Sequence, residues 1–144
     1  METWKDQVRF VEATDDDPVV VNPINGVAME KFEIEGVCID RCSETGAIWL
    51  DRGELARLGS LSKKGRSLLK QIDRRPDRKQ RKAGRGELVS PQNGTSMMVV
   101  VRDPQQPHIE FEMCPVSGGC YFDAGELNDM IDYSFVERVR SFFR

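Results

Sequence analysis

The chain contains one sequence unit twice, and that repeat limits its fold more than any other feature. Residues 42–55 read Cys-Ser-Glu-Thr-Gly-Ala-Ile-Trp-Leu-Asp-Arg-Gly-Glu-Leu, and residues 114–127 read Cys-Pro-Val-Ser-Gly-Gly-Cys-Tyr-Phe-Asp-Ala-Gly-Glu-Leu. At this offset of 72, Cys42, Gly46, Trp49, Asp51, Gly53, Glu54 and Leu55 fall on Cys114, Gly118, Tyr121, Asp123, Gly125, Glu126 and Leu127. Upstream, Asn25-Gly26 and Met29 are echoed by Asn93-Gly94 and Met97 at an offset of 68. A unit of about 40 residues without a staple rarely stabilises itself, so the copies are expected to pack together or to dimerise.

Turn signals divide each copy in the same way. Val19-Val20-Val21 runs into Asn22-Pro23-Ile24-Asn25-Gly26, where Asn-Gly readily takes positive φ. Met29, Phe32 and Ile34 precede a turn near Glu35-Gly36, and Val37 and Ile39 return toward Cys42, which predicts a hairpin of period two. A turn at Glu44–Gly46 is followed by a short strand, Ala47–Leu50. A helix is predicted from Leu55 through Leu58, with a break near Gly59-Ser60, and on through Leu68, Leu69 and Ile72 to a stop at Pro76.

In the second copy Met97–Val101 is a strand candidate. Ile109, Phe111 and Met113 alternate with His108, Glu110 and Glu112, which places the second set on a polar face. The last helix carries an apolar stripe from Leu127 through Phe142 and Phe143. Before the first copy, residues 1–17 are ambiguous between helix (Trp4, Val8, Val11) and strand (Val8, Phe10). The expected organisation is an N-terminal arm over 1–18, a first repeat with its helix over 19–73, a basic linker over 74–87 and a second repeat with its helix over 88–144. The fold class is α+β: two β-hairpin units, each followed by an α-helix.

Charge is distributed unevenly. From Lys63 to Arg85 there are 11 basic residues against Asp73 and Asp77, a balance of +9, so the remainder, with 10 basic and 22 acidic residues, carries −12. An acidic body with a basic bridge points to an anionic partner. The stretch 74–86 has no apolar residue except Ala83, as expected of a charged linker. Arg74, Arg75, Arg78, Lys79, Arg81 and Lys82 are its candidate phosphate contacts, and with no aromatic between them any binding is expected to ignore base sequence. The longest apolar run, Met97–Val101, is far too short to span a membrane, so no membrane partner and a cytoplasmic location are expected.

The acidic pairs Asp51/Glu54 and Asp123/Glu126 invite a catalytic reading, yet their spacing matches a capping box at a helix start, which accounts for it without catalysis. His108 stands alone, with no nucleophile motif near it, and no phosphate-binding glycine loop is present. No enzyme activity is expected, so no catalytic residue is assigned.

With Gly26, Met29, Gly36, Cys42 and the run Trp49-Leu50-Asp51-Arg52-Gly53-Glu54-Leu55, the unit resembles the TFIIB-type zinc-ribbon family. The second copy matches at Pro91, Gly94, Met97, Cys114, Pro115, Gly118, Gly119, Asp123, Gly125, Glu126 and Leu127. The resemblance implies a metal-knuckle fold and, loosely, a nucleic-acid or transcription-associated adaptor. The family's ligand positions, however, fall on Asn22, Asn25, Cys42 and Thr45, and on Ser90, Asn93, Cys114 and Ser117. A structural zinc takes four Cys or His ligands, so no metal and no cofactor are expected. Asn and Ser side chains are expected to bond the turn N–H groups that knuckle sulfurs would accept, leaving one buried thiol in each cluster.

An alternative gathers Cys38, Cys42, Cys114 and Cys120 into one shared metal or disulfide site, against the plainer reading of buried free thiols. Two functions stay open: an adaptor contacting nucleic acid through its basic linker, or a protein-interaction module that docks a partner or a second copy through the last helix.

Overall fold

The computed structural model describes residues 3–74, 88–91, 96–102 and 110–130. These form a mixed α+β fold around one antiparallel sheet of seven strands in the order β1-β2-β3-β4-β7-β6-β5. The strands are β1 (Arg9–Phe10), β2 (Glu30–Ile34), β3 (Val37–Arg41), β4 (Ile48–Leu50), β5 (Val99–Arg102), β6 (Glu110–Met113) and β7 (Cys120–Phe122). Each repeat supplies three of them in succession. The two sets meet at β4 and β7, where Ile48, Trp49 and Leu50 pair with Phe122, Tyr121 and Cys120.

The β2–β3 hairpin closes on Glu35-Gly36 with φ of 49° and 85°. Two positive φ values give the turn a twist that matches the strands it joins. Val19–Val21 forms no strand; the segment contributes an isolated bridge between Val21 and Ala28. The ambiguous N-terminus resolves into both readings. Thr3–Gln7 is a 3-10 turn, and Arg9–Phe10 then pairs with β2. Trp4 is buried against Phe32, at 5.3 Å between ring centroids, and under the Arg41 guanidinium at 5.2 Å.

Helix α1 (Glu54–Leu58) stops at Gly59, and α2 (Lys63–Ile72) restarts after Ser62. Ser62 is the N-cap, its hydroxyl accepting the Gly65 N–H at 3.1 Å. Glu35 of the hairpin turn then accepts both the Ser62 N–H, at 2.8 Å, and its hydroxyl. A short helix α3 (Glu126–Met130) stands at the corresponding place in the second copy, and residues 131–144, with most of the apolar stripe, lie outside the described residues.

Alternation along the strands sends neighbouring side chains to opposite faces. On the helical face Phe32, Ile34, Ile39, Ile48, Leu50, Phe111 and Phe122 pack with Leu55, Leu58, Leu68, Leu69, Ile72, Leu127 and Met130. The other face carries a smaller cluster of Val20, Met29, Cys42, Ala47, Trp49, Met98, Cys114 and Tyr121, drawn from both repeats. Burying a large apolar side chain contributes about 1.5–3 kcal/mol, so Trp49 and Tyr121 dominate this smaller core. No described helix is long and apolar enough to cross a membrane.

The end of α2 ties the repeats together. Arg41 donates to the Ile72 carbonyl at 3.0 Å and the Arg74 carbonyl at 3.2 Å. Gly46 lies so close to the Arg74 carbonyl that a Cβ there would collide with it. The buried Asp73 carboxylate accepts the N–H groups of Gly125 and Asn128, each at 2.8 Å, and so caps α3 from a distant part of the chain.

Candidate functional site

Three turns in the smaller core share one hydrogen-bond pattern. The Asn22, Cys42 and Cys114 carbonyls accept the N–H groups of Gly26, Gly46 and Gly118, four residues on, at 2.8–2.9 Å. Their own N–H groups donate to the carbonyls of Val27, Ala47 and Gly119, at 2.8–2.9 Å. In each turn the side chain three residues on folds back to accept the next N–H but one. Asn25 Oδ1 takes it from Val27 (3.0 Å), Thr45 Oγ1 from Ala47 (3.1 Å) and Ser117 Oγ from Gly119 (3.2 Å). Asn22 Oδ1 accepts the Ile24 N–H at 3.0 Å, and Cys114 Sγ the Ser117 N–H at 3.4 Å. The oxygens of Asn22, Asn25, Thr45 and Ser117 are thus engaged inside their own turns. Asn93 lies outside the described residues, and Ser90 is fully buried.

One thiol sits in each cluster. Asn25 Nδ2 approaches Cys42 Sγ at 3.7 Å, and Asn22 Nδ2 donates to Thr45 Oγ1 at 3.2 Å. Burial opposes ionisation of Cys42. Donation from the Thr45 and Asn22 side chains and from the Thr45 and Glu44 N–H groups outweighs it and holds the thiol below its ordinary range. Cys114 behaves alike: burial is outweighed by the Ser117 and Ser90 side chains and the Ser117 and Val116 N–H groups. Two carboxamides, a hydroxyl and one thiol are a poor donor set for zinc, which takes thiolates and imidazoles.

The structure does not assemble the four cysteines. Cys120 lies in the helical-face core, across the sheet from Cys42 and Cys114, and burial pushes it up to about 12. Cys38 donates toward Asp17 Oδ2 at 3.8 Å, in a polar patch of its own. All four thiols are free, and no group of three His, Cys, Asp or Glu suited to a metal exists among the described residues. The shared site fails because positions 114 and 120 belong to opposite faces of the sheet.

Along the same face as the thiols, paired residues form a row across the sheet: Lys31, Asp40, Trp49, Tyr121, Glu112 and Val100. It reads nearly symmetrically about Trp49 and Tyr121. Glu112, expected on a solvated face, is 4% exposed because the two repeats join on that side of the sheet. Asp40 is held by Lys31 Nζ at 2.7 Å, and Lys31 also reaches Asp17 at 3.0 Å. Burial works against the Lys31 charge, but its hydrogen bonds to Asp40 and Asp17 prevail and raise its pKa.

Asp40 is pushed up to about 6, chiefly by burial, with the Lys31 bond opposing. Glu54 is pushed up to about 8 by burial and then by the charge of Asp51. One oxygen of each, Asp40 Oδ2 and Glu54 Oε2, is buried without a hydrogen-bond partner. Burial, followed by the charges of Glu54, Asp40 and Asp17, raises Cys38 to about 12.

The capping pairs need a correction. Glu54 and Glu126 do accept the N–H groups of Asp51 and Asp123, at 3.0 and 2.9 Å. The reciprocal bonds use main-chain oxygen: the N–H groups of Glu54 and Glu126 donate to the Asp51 and Asp123 carbonyls, at 3.0 and 3.1 Å. The Asp51 carboxylate instead takes the Trp49 indole N–H at 3.0 Å, and the Asp123 carboxylate the Tyr121 hydroxyl at 3.2 Å. A buried indole or phenol needs an acceptor, and the aspartate two residues on supplies it.

The basic surface begins earlier than its linker. Lys63, Arg66 and Lys70 lie along one side of α2 and, with Ser67 and Asn128, line a cleft of about 320 Å³. Arg66 is held in place by donating to the Gly59 carbonyl at 2.8 Å. Asn128 Nδ2 fixes the other wall through the carbonyls of Asp73 and Lys70, at 3.3 and 3.5 Å. Of the predicted phosphate contacts only Arg74 is described, exposed at the end of α2 with its Nε donating to the Lys70 carbonyl at 3.2 Å. Arg75, Arg78, Lys79, Arg81, Lys82 and His108 lie outside the described residues.

Sequence reasoning missed the Lys31–Asp40 pair, the Asp73 cap and the α2 cleft. The helical spacing of Lys63, Arg66 and Lys70 was the signal available for the last.

Comparison of the chain with protein-family models, with curated proteins and with solved structures returns no match.

Proposed function

We propose that this chain is a non-enzymatic binding module that contacts nucleic-acid phosphates, built on two ribbon-like repeats that hold no metal. The observation that carries the reading is the cationic side of α2, which runs directly into the basic segment that follows. Lys63 and Lys70 have no carboxylate partner among the described residues, so their charge is available to a polyanion. The repeated turn pattern supports the ribbon-like scaffold, in which Asn, Thr and Ser oxygens take the N–H groups that metal-bound sulfurs would otherwise accept.

The test is titration with single- and double-stranded nucleic acid at low and moderate salt. Binding should fall steeply as salt rises, because phosphate neutralisation releases counterions. Neutralising Arg74, Arg75, Arg78, Lys79, Arg81 and Lys82 together should abolish most of it. Binding indifferent to those changes, or none, removes the reading. Tightly bound stoichiometric zinc in protein purified without added metal would remove the metal-free scaffold.

One observation favours a second reading, a protein-interaction module. β5 ends the sheet, and Val99 and Val100 on it are 45% and 52% exposed, beside exposed Met97 and Val89. An edge strand with exposed apolar side chains is a template for another strand. Concentration-dependent mass measurement tests this, since a strict monomer without a protein partner argues against it.

A further inference from the structure

We infer that the cleft between α2 and α3 is a built phosphate site, which grips two or three consecutive phosphates of one nucleic-acid strand. The inference rests on the phosphate-binding reading above for its ligand class, and it adds a contact made by folded residues to the one made by the linker. Three cations, Lys63, Arg66 and Lys70, line the cleft beside the Ser67 hydroxyl, and no acidic side chain joins them among the described residues. From Lys63 to Lys70 the helix rises about 10 Å, a length that two or three neighbouring phosphates of a single strand can span. One strand laid along α2 would therefore meet all three cations.

The walls are set before any ligand arrives. The Arg66 guanidinium is anchored on the Gly59 carbonyl, so its planar fork is oriented at little further entropic cost. Arg66 Nε is buried with no hydrogen-bond partner, a donor whose desolvation the protein alone leaves uncompensated. Asn128 is committed to the α2 carbonyls and to Asp73, which fixes the spacing of the two walls. A mere solvated lysine stripe would have neither the fixed guanidinium nor the second wall.

The experiment uses the full chain and two probes: inorganic tripolyphosphate, which carries neighbouring phosphates and no base, and a labelled oligothymidylate. Two variants separate the surfaces, Lys63→Gln/Lys70→Gln in the cleft and Arg78→Gln/Lys79→Gln/Arg81→Gln/Lys82→Gln in the linker. Both cleft lysines are exposed, so unchanged unfolding midpoints are expected.

The expected result is that wild type binds both probes. The cleft variant loses tripolyphosphate binding at least tenfold, and its log-log salt slope for the oligonucleotide falls by about one to two. The linker variant keeps tripolyphosphate binding. Oligonucleotide binding that the cleft variant leaves intact, with no tripolyphosphate binding, overturns the cleft and leaves the nucleic-acid reading standing. Tripolyphosphate binding that the cleft variant loses, with no oligonucleotide binding at all, overturns the nucleic-acid reading and leaves a site for small phosphates. Binding of neither probe overturns both.

Discussion

The two repeats share their turns and their aromatic-to-aspartate bonds, and they part company at the outer ends of the row that crosses the sheet. In the first, the buried Asp40 faces Lys31. In the second, the buried Glu112 faces Val100, which is half-exposed on the last strand. The first copy also has its outer edge covered, by β1 and by the Val11 N–H donating to the Lys31 carbonyl at 3.0 Å. A duplicated unit keeps what its local turns require and diverges where its neighbours differ. Here one end of the row sets a buried lysine against Asp40, and the other sets an exposed valine against Glu112.

The largest effect should come from breaking the ion pair. Lys31→Met leaves Asp40 buried without its counter-charge and should destabilise by about 3–5 kcal/mol, read from denaturant midpoints. Lys31→Met/Asp40→Leu should recover most of that loss, whereas Val100→Met, at the matching place in the second copy, should stay within about 0.5 kcal/mol. Equal losses at the two positions would erase the distinction between the ends.

Next comes the link between copies. Asp73→Ala removes two charge-assisted bonds to the α3 N-terminus and should cost about 2–3 kcal/mol. Hydrogen exchange should show the Gly125 and Asn128 amides losing protection in this variant.

A pH dependence belongs to the first copy. Glu54 rises from 4.5 to about 8 on folding and Asp40 from 3.8 to about 6, so the folded state holds their protons more tightly. The stability these two groups contribute should therefore fall as pH rises from the ordinary carboxylate range toward 8, by roughly one kcal/mol per pH unit per group within its window. Glu54→Gln should flatten the slope above pH 6. Stability that increases over that range would contradict the assignment. A smaller loss tests the shared aromatic bond: Tyr121→Phe deletes the hydroxyl given to Asp123 and should cost about 1 kcal/mol in thermal unfolding.

What could be read from the residues was what a short stretch decides by itself. The turns at Gly26, Glu35-Gly36 and Gly46, the strand before Asp51 and the break at Gly59 all follow from local preferences. So does the reach of Glu54 back to the Asp51 N–H. What escaped was chosen by neighbours distant in sequence. The Asp51 carboxylate looked free to cap its helix, but the buried Trp49 indole claims it. Glu112 alternates like an exposed residue, yet the joining of the repeats covers it. Cys120 could not be assigned a face, because the turn after Cys114 hides the strand parity. Lys31 and Asp73 act across 9 and 52 residues, a distance no local pattern reports.

The anchoring of Arg74 bears on how the two repeats are held together. Arg41 grips the Arg74 carbonyl, and on the far side the Leu88 carbonyl accepts the Met98 N–H at 2.7 Å while Leu88 packs beside the smaller core. The residues on either side of positions 75–87 therefore both belong to the one seven-stranded fold, and a cut between Arg74 and Leu88 would leave each flank held by its own hydrogen bond rather than release two independent bodies.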